Sequence, residues 1–368
     1  MPKWVSATGR WRAAGVCIAG GLLLAGCGGY RQQLPQISQE AVKAEQERQV
    51  AYSFETMITQ TKRLQSAAFR VMTANTQYCG GSLAPAFGLS VLSLENLSET
   101  LRPVAASRLG LDNAVAIVHV VKDSPARRAG LAPGDRVVAV AGQRIPEGLE
   151  GTKTLAQVLA RAQPDRAIRF NVLRGGRELS FPLRPVAGCA TRVVLSGQSE
   201  RVAAHSPARI VVRRELLRYA VSDDELALVI AHELAHITQG HLRGSRRDRA
   251  AGELGGFPVD ARVTMPAPEK SAGIFGRGGP PARDVFSPRQ EIEADYVGMY
   301  FMARAGYDTA AVEPFWRKLT QPDAAGLPFV EIHPLTPERF AVISRTHDEI
   351  QLKRSAKAPL IPNTRSAR

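Results

Sequence analysis

One stretch decides the fold of the second half of the chain: Leu226-Ala227-Leu228-Val229-Ile230-Ala231-His232-Glu233-Leu234-Ala235-His236-Ile237. It is apolar on nearly every side of a helix, which is the pattern of a buried helix rather than a surface one. Just before it, Ser222-Asp223-Asp224-Glu225 predicts a capping box in which Glu225 reaches back to Ser222. A buried helix therefore begins there, and the polar side chains inside it need partners.

The two histidines of this helix predict a metal site. His232 and His236 lie four residues apart, so both imidazoles can reach one zinc ion at about 2.0–2.1 Å. Glu233 lies beside the first histidine, where it can take the proton of a water whose pKa zinc has lowered towards ~7. The sequence therefore predicts one Zn²⁺ per chain, with His232 and His236 as ligands and Glu233 as the catalytic base.

A second predicted helix supplies the third protein ligand that a catalytic zinc needs. Ser287-Pro288-Arg289-Gln290 predicts its capped start, and Glu291, Glu293 and Asp295 follow. Glu291 and Asp295 share a face, so we expect Glu291 to bind zinc and Asp295 to accept the free ring N–H of a ligating histidine. Glu293 points elsewhere and stays an alternative ligand.

The region before the metal helices changes to short β-type runs separated by turns. Ser124-Pro125-Ala126-Arg127-Arg128-Ala129-Gly130-Leu131, followed by Ala132-Pro133-Gly134-Asp135, resembles the PDZ signature of bacterial envelope proteases. The resemblance implies a PDZ domain at residues 85–187, with Arg108-Leu109-Gly110-Leu111 as its carboxylate-binding loop and Thr154 to Arg161 as its groove helix.

The N-terminus has the features of an export signal, because cations precede an apolar run that ends in small residues. Leu24-Ala25-Gly26-Cys27 resembles a bacterial lipobox, which implies lipidation of Cys27; an ordinary signal peptide stays an alternative. Gly28 and Gly29 imply the outer membrane rather than retention at the inner one. Cys79 and Cys189 are then the two cysteines of the mature fold, and an oxidising compartment predicts one disulfide; two free buried thiols stay open.

The charge of the 368-residue chain is +14, but its arginines are scattered and no aromatic-interleaved basic motif is present. We therefore expect no nucleic-acid partner and an affinity for anionic envelope surfaces, with a basic composition of no functional meaning as the alternative. The fold class predicted is α+β, a mainly helical zincin metallopeptidase with an inserted β-rich PDZ domain. Its segments are a lipoprotein signal peptide at 1–26, a lipidated N-terminus and amphipathic helix of the catalytic domain at 27–80, the PDZ domain at 85–187, the metallopeptidase domain at 190–350 and a basic disordered tail at 351–368.

Two motifs carry a resemblance to a known family. His232-Glu233-Leu234-Ala235-His236 and Glu291-Ile292-Glu293-Ala294-Asp295, with Ile332-His333-Pro334 and Glu338-Arg339 later, resemble the HtpX-like and CAAX-prenyl-protease-like zinc metallopeptidases of the gluzincin type. The resemblance covers about residues 190–350. It implies a zinc metalloendopeptidase of the exported, lipid-anchored branch, which faces the periplasm and cleaves misfolded or unassembled envelope polypeptides. A C-terminal or extended peptide would bind the PDZ groove.

The remaining histidines carry weaker expectations. His333 is a candidate for oxyanion stabilisation or for gating zinc's open position, with a structural role as the alternative. His241 is expected to make a hydrogen bond at the helix end rather than to bind metal. His205 is a candidate substrate contact, whereas we expect His119 to pack on a strand and His347 to be solvated.

Two other functional classes stay open. In the first, a non-catalytic PDZ or chaperone-like protein keeps a structural zinc, but Glu233 has no use at such a site, and structural sites usually have four protein ligands rather than the three seen here. In the second, the enzyme is latent because His333 or the Gly, Pro and Arg-rich loop at residues 242–286 closes the site.

Overall fold

The structure is a computed structural model that describes residues 35–196, 209–241 and 286–363. The predictions for the signal peptide, Cys27, His205 and residues 242–285 lie outside the described residues. Within the described ranges, no helix has both the length and the hydropathy needed to cross a membrane.

The chain divides into two compact units, residues 1–45 and residues 46–368. In the described part of the first unit a helix begins at Gln39, and the Ser38 hydroxyl accepts a hydrogen bond from the backbone N–H of Ala41 at 3.2 Å.

The described strands lie between residues 83 and 213, and the described residues from 223 to 355 form helices without strands, so the predicted α+β class is confirmed. The helices are α1 Gln39–Ala74, α2 Arg102–Leu109, α3 Pro125–Ala129, α4 Gly148–Ala160, α5 Asp223–Thr238, α6 Pro288–Arg304, α7 Val312–Leu319, α8 Pro328–Ile332 and α9 Pro337–Ser355. The strands are β1 Leu83–Ala86, β2 Leu89–Leu92, β3 Ala116–Val120, β4 Arg136–Val140, β5 Gln143–Arg144, β6 Ile168–Arg174, β7 Arg177–Leu183, β8 Val186–Cys189, β9 Arg192–Ser196 and β10 Arg209–Arg213.

The inserted β-rich region is one antiparallel sheet in the order β2-β3-β4-β6-β7, with β5 paired to β4. Its core forms where alternate strand residues, among them Val137, Phe170 and Val172, pack against Leu155 and Leu159 of α4. Strands β1 and β8, which begin and end this insertion, pair with each other. The β-rich region therefore leaves and re-enters the helical part through one pair of strands.

The structure differs from the predicted carboxylate-binding loop. Gly110 is the C-cap of α2 with φ 64°, and the next strand, β3, is paired on both sides. A peptide that adds to a sheet needs a free strand edge, and among the strands of this sheet β2 lies at the end. The other end of the sheet is β7, so Arg108–Leu111 does not precede an end strand, whereas the turn before β2 does. Gly88 in that turn has φ 73°, and a Cβ there would collide with Ser124.

The helical part is built around α5 and α6. Ala294 and Gly298 keep the surface of α6 thin, and a Cβ at Gly298 would lie 3.1 Å from the Cα of His232. Helix α1 serves both parts: Phe54 and Met57 pack with Leu92 and Leu101 of the β-rich region, whereas its second half joins the core around α5 and α6. Arg304 of α6 donates to the Ala74 carbonyl at the end of α1 at 2.9 Å, and Arg70 of α1 donates to the Ala305 carbonyl at the end of α6 at 2.7 Å. Each of these two helices therefore caps the C-terminus of the other.

Cys79 and Cys189 form a disulfide with their Cα atoms 5.6 Å apart, beside the β1–β8 pair. The bridge closes a loop of 110 residues. Replacing both cysteines by serine is expected to lower the free energy of unfolding by about 2–4 kcal/mol, since the cross-link restricts the unfolded chain. Urea unfolding under oxidising conditions measures this. The wild type in reductant should match the variant; equal stability of wild type and variant under oxidising conditions would contradict the prediction.

The C-terminal tail is ordered further than predicted. Helix α9 continues to Ser355, and the Asn363 side chain donates to Glu349 Oε1 at 2.8 Å. Lys353 Nζ donates to the Ile361 carbonyl at 2.6 Å, and the backbone N–H of Asn363 donates to the Tyr296 hydroxyl at 2.8 Å. These bonds hold the last described residues against α9 and α6, which a basic, proline-containing composition did not indicate.

Candidate metal centre

Helix α5 starts where the capping box predicts. The Ser222 hydroxyl accepts from the backbone N–H of Glu225 at 3.1 Å, and Glu225 Oε2 accepts from the backbone N–H of Ser222 at 2.9 Å. The helix then runs through the centre of the domain, so His232 and His236 are fully buried and Glu233 is 1% exposed. Helix α6, capped by Ser287, brings a fully buried Glu291 against it.

Four buried side chains converge at this crossing: His232, His236, Glu291 and His333. One ligand atom from each lies within 4.8 Å of all the others. The Nε2 atoms of His232 and His236 are 3.1 Å apart, and His333 Nδ1 is 3.3 Å from His232 Nε2. The Glu291 carboxylate lies 3.4 Å from each of the two Nε2 atoms.

These separations test whether the donors suit a metal ion. A tetrahedral zinc with bonds of about 2.0–2.1 Å separates its ligand atoms by about 3.3–3.4 Å. The distances of 3.1–3.4 Å match that spacing closely. Imidazole and carboxylate are also the donors that zinc takes in catalytic sites. The residues therefore fit a zinc-type cation.

The surroundings set the charges of the site. Burial lowers the pKa of His236 to about 3, so this ring is neutral at pH 7. Burial would raise the pKa of Glu291, but hydrogen bonds from His232, His236 and His333 outweigh it and lower the pKa. Burial would lower the pKa of His333, yet the Glu233 and Glu291 carboxylates raise it to about 9. His236 is therefore a neutral imidazole and Glu291 an anionic carboxylate, as metal ligands require, whereas His333 would have to lose a proton before it could bind a metal.

Glu233 lies beside the donor cluster without being a member of it. Its Oε1 is 3.1 Å from His333 Nε2, and His333 Nδ1 is 3.0 Å from Glu291 Oε1. His333 thus bridges the Glu233 and Glu291 carboxylates. The position agrees with its selection as a candidate site residue, and it makes His333 a fourth donor as well.

Behind the cluster, Asp295 and Arg339 form a buried ion pair. Asp295 Oδ1 lies 3.1 Å from His232 Nδ1. Arg339 Nε donates to Asp295 Oδ2 at 2.6 Å, its Nη2 donates to Oδ1 at 2.9 Å, and its Nη1 lies 2.9 Å from Glu291 Oε2. Burial would raise the pKa of Asp295, but the Arg339 charge and the His232 hydrogen bond lower it. The sequence marks Arg339 only through a motif resemblance, and no local signal identifies it as the partner of Asp295.

The other singled-out residues lie outside the donor cluster. Glu293 is exposed, which argues against the alternative ligand, and it lies 3.4 Å from His241 Nε2. His241 Nδ1 lies 3.0 Å from His236 Nδ1, in keeping with the expected hydrogen bond at the helix end. His119 packs on β3 as expected, where its Nε2 lies 2.9 Å from the Ser66 hydroxyl. His347 differs from the expectation, since the Thr309 hydroxyl lies 2.8 Å from its Nδ1.

Two histidines one helical turn apart, an intervening glutamate and a carboxylate from a second helix define a metallopeptidase domain of the HExxH class. Residues 177–257 and 269–347 match the model of peptidase family M48, and residues 85–184 match the PDZ domain model. The chain therefore contains a peptidase family M48 domain joined to a PDZ domain, and the predicted family resemblance and PDZ domain are confirmed.

Several curated relatives are similar in sequence to part of this chain. The beta-barrel assembly-enhancing protease of Yersinia pestis is 32% identical over 116 residues, which cover 30% of this chain and 24% of the relative. The protein of the same name from Escherichia coli (strain K12) is 30% identical over 145 residues, covering 36% and 29%. The chain spans about a quarter of the length of these relatives. A solved structure of the HtrA-type protease AlgW with decapeptide is 28% identical, covers 28% of this chain and 30% of that one, and has a TM-score of 0.23.

Proposed function

We propose that this chain is a zinc-dependent metalloendopeptidase that hydrolyses peptide bonds of misfolded or unassembled envelope proteins. The observation that carries the proposal is the buried donor set of His232, His236 and Glu291 with the Glu233 carboxylate beside it. A purely structural zinc site has no use for such a carboxylate. The names of the relatives, as proteases, support the same activity.

In this proposal, His232, His236 and Glu291 hold one zinc ion. When bound, such an ion would act as a Lewis acid, which acidifies water and polarises a carbonyl. Glu233 takes the proton of the attacking water on its carboxylate and returns it to the leaving amide nitrogen. Asp295 accepts the Nδ1–H of His232, so that the Nε2 lone pair of this ring faces the donor cluster.

His333 has two candidate roles, which its position supports unequally. As a donor to the oxyanion, it would use its Nε2, the atom 3.1 Å from Glu233 Oε1. As a gate, it would occupy the open ligand position, and its membership of the four-donor cluster favours this role. A latent enzyme whose site His333 closes is therefore the second candidate function, ahead of a non-catalytic chaperone-like binding protein.

Substrate binding is proposed at two strand edges. Strand β10 pairs in parallel with β9, and among the described residues its other edge has no strand partner. An extended substrate would pair there with Ile210 to Val212 and place its scissile bond over Glu233. The free edge of β2 in the PDZ domain would take a C-terminal or extended peptide by strand addition, which captures substrate or gates the cleft.

We also propose the cellular arrangement that the N-terminal sequence implies. A signal peptide at residues 1–26 would be removed, Cys27 lipidated, and the rest, with the catalytic-domain helix in 27–80, the PDZ domain at 85–187 and the peptidase domain at 190–350, would face the periplasm from the outer membrane. Unfolded envelope polypeptides are the proposed partners, and nucleic acid is not.

Removing the metal tests the proposal. The full-length chain in detergent is expected to contain about one zinc per chain and to cleave unfolded casein. Dipicolinic acid should remove both the metal and the activity, and one equivalent of zinc should restore cleavage. Isophthalic acid, which lacks the chelating ring nitrogen, is the matched control. A chain that binds zinc but never cleaves would instead support the latent or binding function.

A further inference from the structure

The two α5 histidines differ in what their outer nitrogens contact. His232 Nδ1 faces the Asp295 carboxylate directly at 3.1 Å. His236 Nδ1 faces another imidazole, with His241 Nδ1 at 3.0 Å, and His241 Nε2 lies 3.4 Å from Glu293 Oε2. A row of three side chains, Glu293, His241 and His236, therefore ends at the donor cluster. We call this row the Glu293 relay.

The local fold explains how His241 reaches His236. Helix α5 ends at Thr238, and Gly240 turns the chain through a left-handed conformation with φ 74°. The backbone N–H of His241 then donates to the His236 carbonyl at 3.0 Å, which brings the side chain back over the helix end. His241 is 6% exposed at its side chain, so its ring is held between the helix and Glu293.

The hydrogen bonds of the relay select one tautomer of His236. A neutral imidazole has one N–H, so the Nδ1–Nδ1 contact requires one ring to donate and the other to accept. If His236 donates, its Nε2 carries a lone pair towards the cluster. If His236 accepts, a proton stands on Nε2, 3.1 Å from His232 Nε2, and that nitrogen cannot bind a cation.

Glu293 decides between the two arrangements. An ionised carboxylate only accepts, so it draws the His241 proton to Nε2 and leaves His241 Nδ1 as an acceptor. His236 must then donate from Nδ1. Phe286 stacks on His236 with ring centroids 3.7 Å apart and an angle of 27°, which fixes the ring plane but not the choice of nitrogen. The hydrogen bonds of the relay therefore determine which ring nitrogen of His236 carries the proton, which ring packing alone does not.

We propose that His241 and Glu293 are positioning residues that fix the tautomer and orientation of His236, so that its Nε2 lone pair points at the metal site. The inference rests on the proposed zinc site and assigns a use to two residues outside it. His232 has the common carboxylate–histidine pair, whereas His236 has the same pair lengthened by one imidazole. Glu293 is half exposed at its side chain, so its share of the effect should be smaller than that of His241.

The test is zinc affinity of the full-length chain, measured by competition with a chromophoric chelator. His241→Phe removes the acceptor and is expected to weaken zinc binding about 10–100-fold. His241→Gln offers an amide oxygen to His236 Nδ1 and should stay within about threefold of wild type. Glu293→Gln can donate to His241 and permit the wrong tautomer, so it should weaken binding by less than His241→Phe. His347→Phe is the matched control and should bind as wild type.

Several outcomes separate the inference from the proposed function. Wild-type affinity in His241→Phe, or equal losses in His241→Phe and His241→Gln, overturns the relay while leaving the zinc site intact. A wild-type chain that binds no zinc overturns both. Thermal unfolding of the metal-free chain should not distinguish His241→Gln from wild type; if His241→Phe fails to fold, the Gln substitutions at 241 and 293 still decide the matter.

Discussion

Replacing Glu233 by glutamine is expected to reduce casein hydrolysis by about 10²–10⁴-fold, the contribution typical of a general base. Glutamine has nearly the same shape but cannot take a proton from water. Glu233 is buried and is not one of the four clustered donors, so the zinc content should stay at its wild-type value. The change should therefore separate chemistry from metal binding, which removal of a ligand cannot do.

The measurement is casein cleavage and zinc content for both forms at equal protein concentration. Glu313→Gln is a suitable control, because Glu313 is a partly exposed acid that pairs with Arg317 and is not among the clustered donors. It should keep wild-type activity. A Glu233→Gln variant that retained more than about a tenth of the activity would show that another group takes the proton.

Replacing Arg339 by methionine is expected to lower the free energy of unfolding of the metal-free chain by about 3–5 kcal/mol. Arg339 is fully buried and contacts both Asp295 and Glu291, so its loss leaves two carboxylates in the interior without their cation. Methionine fills a similar volume, which limits the effect of packing. Arg339→Lys keeps the charge but cannot reproduce the fork-shaped contacts, so it should lie in between.

Urea unfolding measures this effect, with Arg317→Met as the matched control. Arg317 is 64% exposed at its side chain and pairs with Glu313 on the same helix, so its removal should change stability by less than about 1 kcal/mol. Adding Asp295→Asn to Arg339→Met should cost less than the sum of the two single changes, since each removes the other's partner. Equal losses at Arg339 and Arg317 would contradict the proposed role of the buried pair.

The ligand helices could be predicted from sequence because their signals are local. Each capping box, at Ser222 for α5 and at Ser287 for α6, involves only the first turn of its helix. The four-residue spacing of His232 and His236 also lies within one helix, α5. That Glu291 lies beside the two histidines could be expected as well, because a catalytic zinc site needs a third protein ligand and few acids share a buried helix face.

The rest depends on contacts between distant residues. Arg339 and Asp295 are 44 residues apart, and nothing in the local pattern tells that arginine from the exposed ones around it. The predicted loop at Arg108–Leu111 does not precede an end strand, and only the order of the described strands shows that β2, not β3, lies at an end of the sheet. Charge and periodicity do not report strand order.

The capping exchange between α1 and α6 has a consequence for how the chain is made. Arg304 and the Ala74 carbonyl that it caps are 230 residues apart, so the second half of α1 leaves the ribosome long before its partners exist. The middle of the helix can dock early on the β-rich insertion, through Phe54 and Met57. Such distant pairings slow folding. The apolar stripe around Val71 and Met72 therefore stays uncovered until the later helices are present, and a holding chaperone would have this surface to shield.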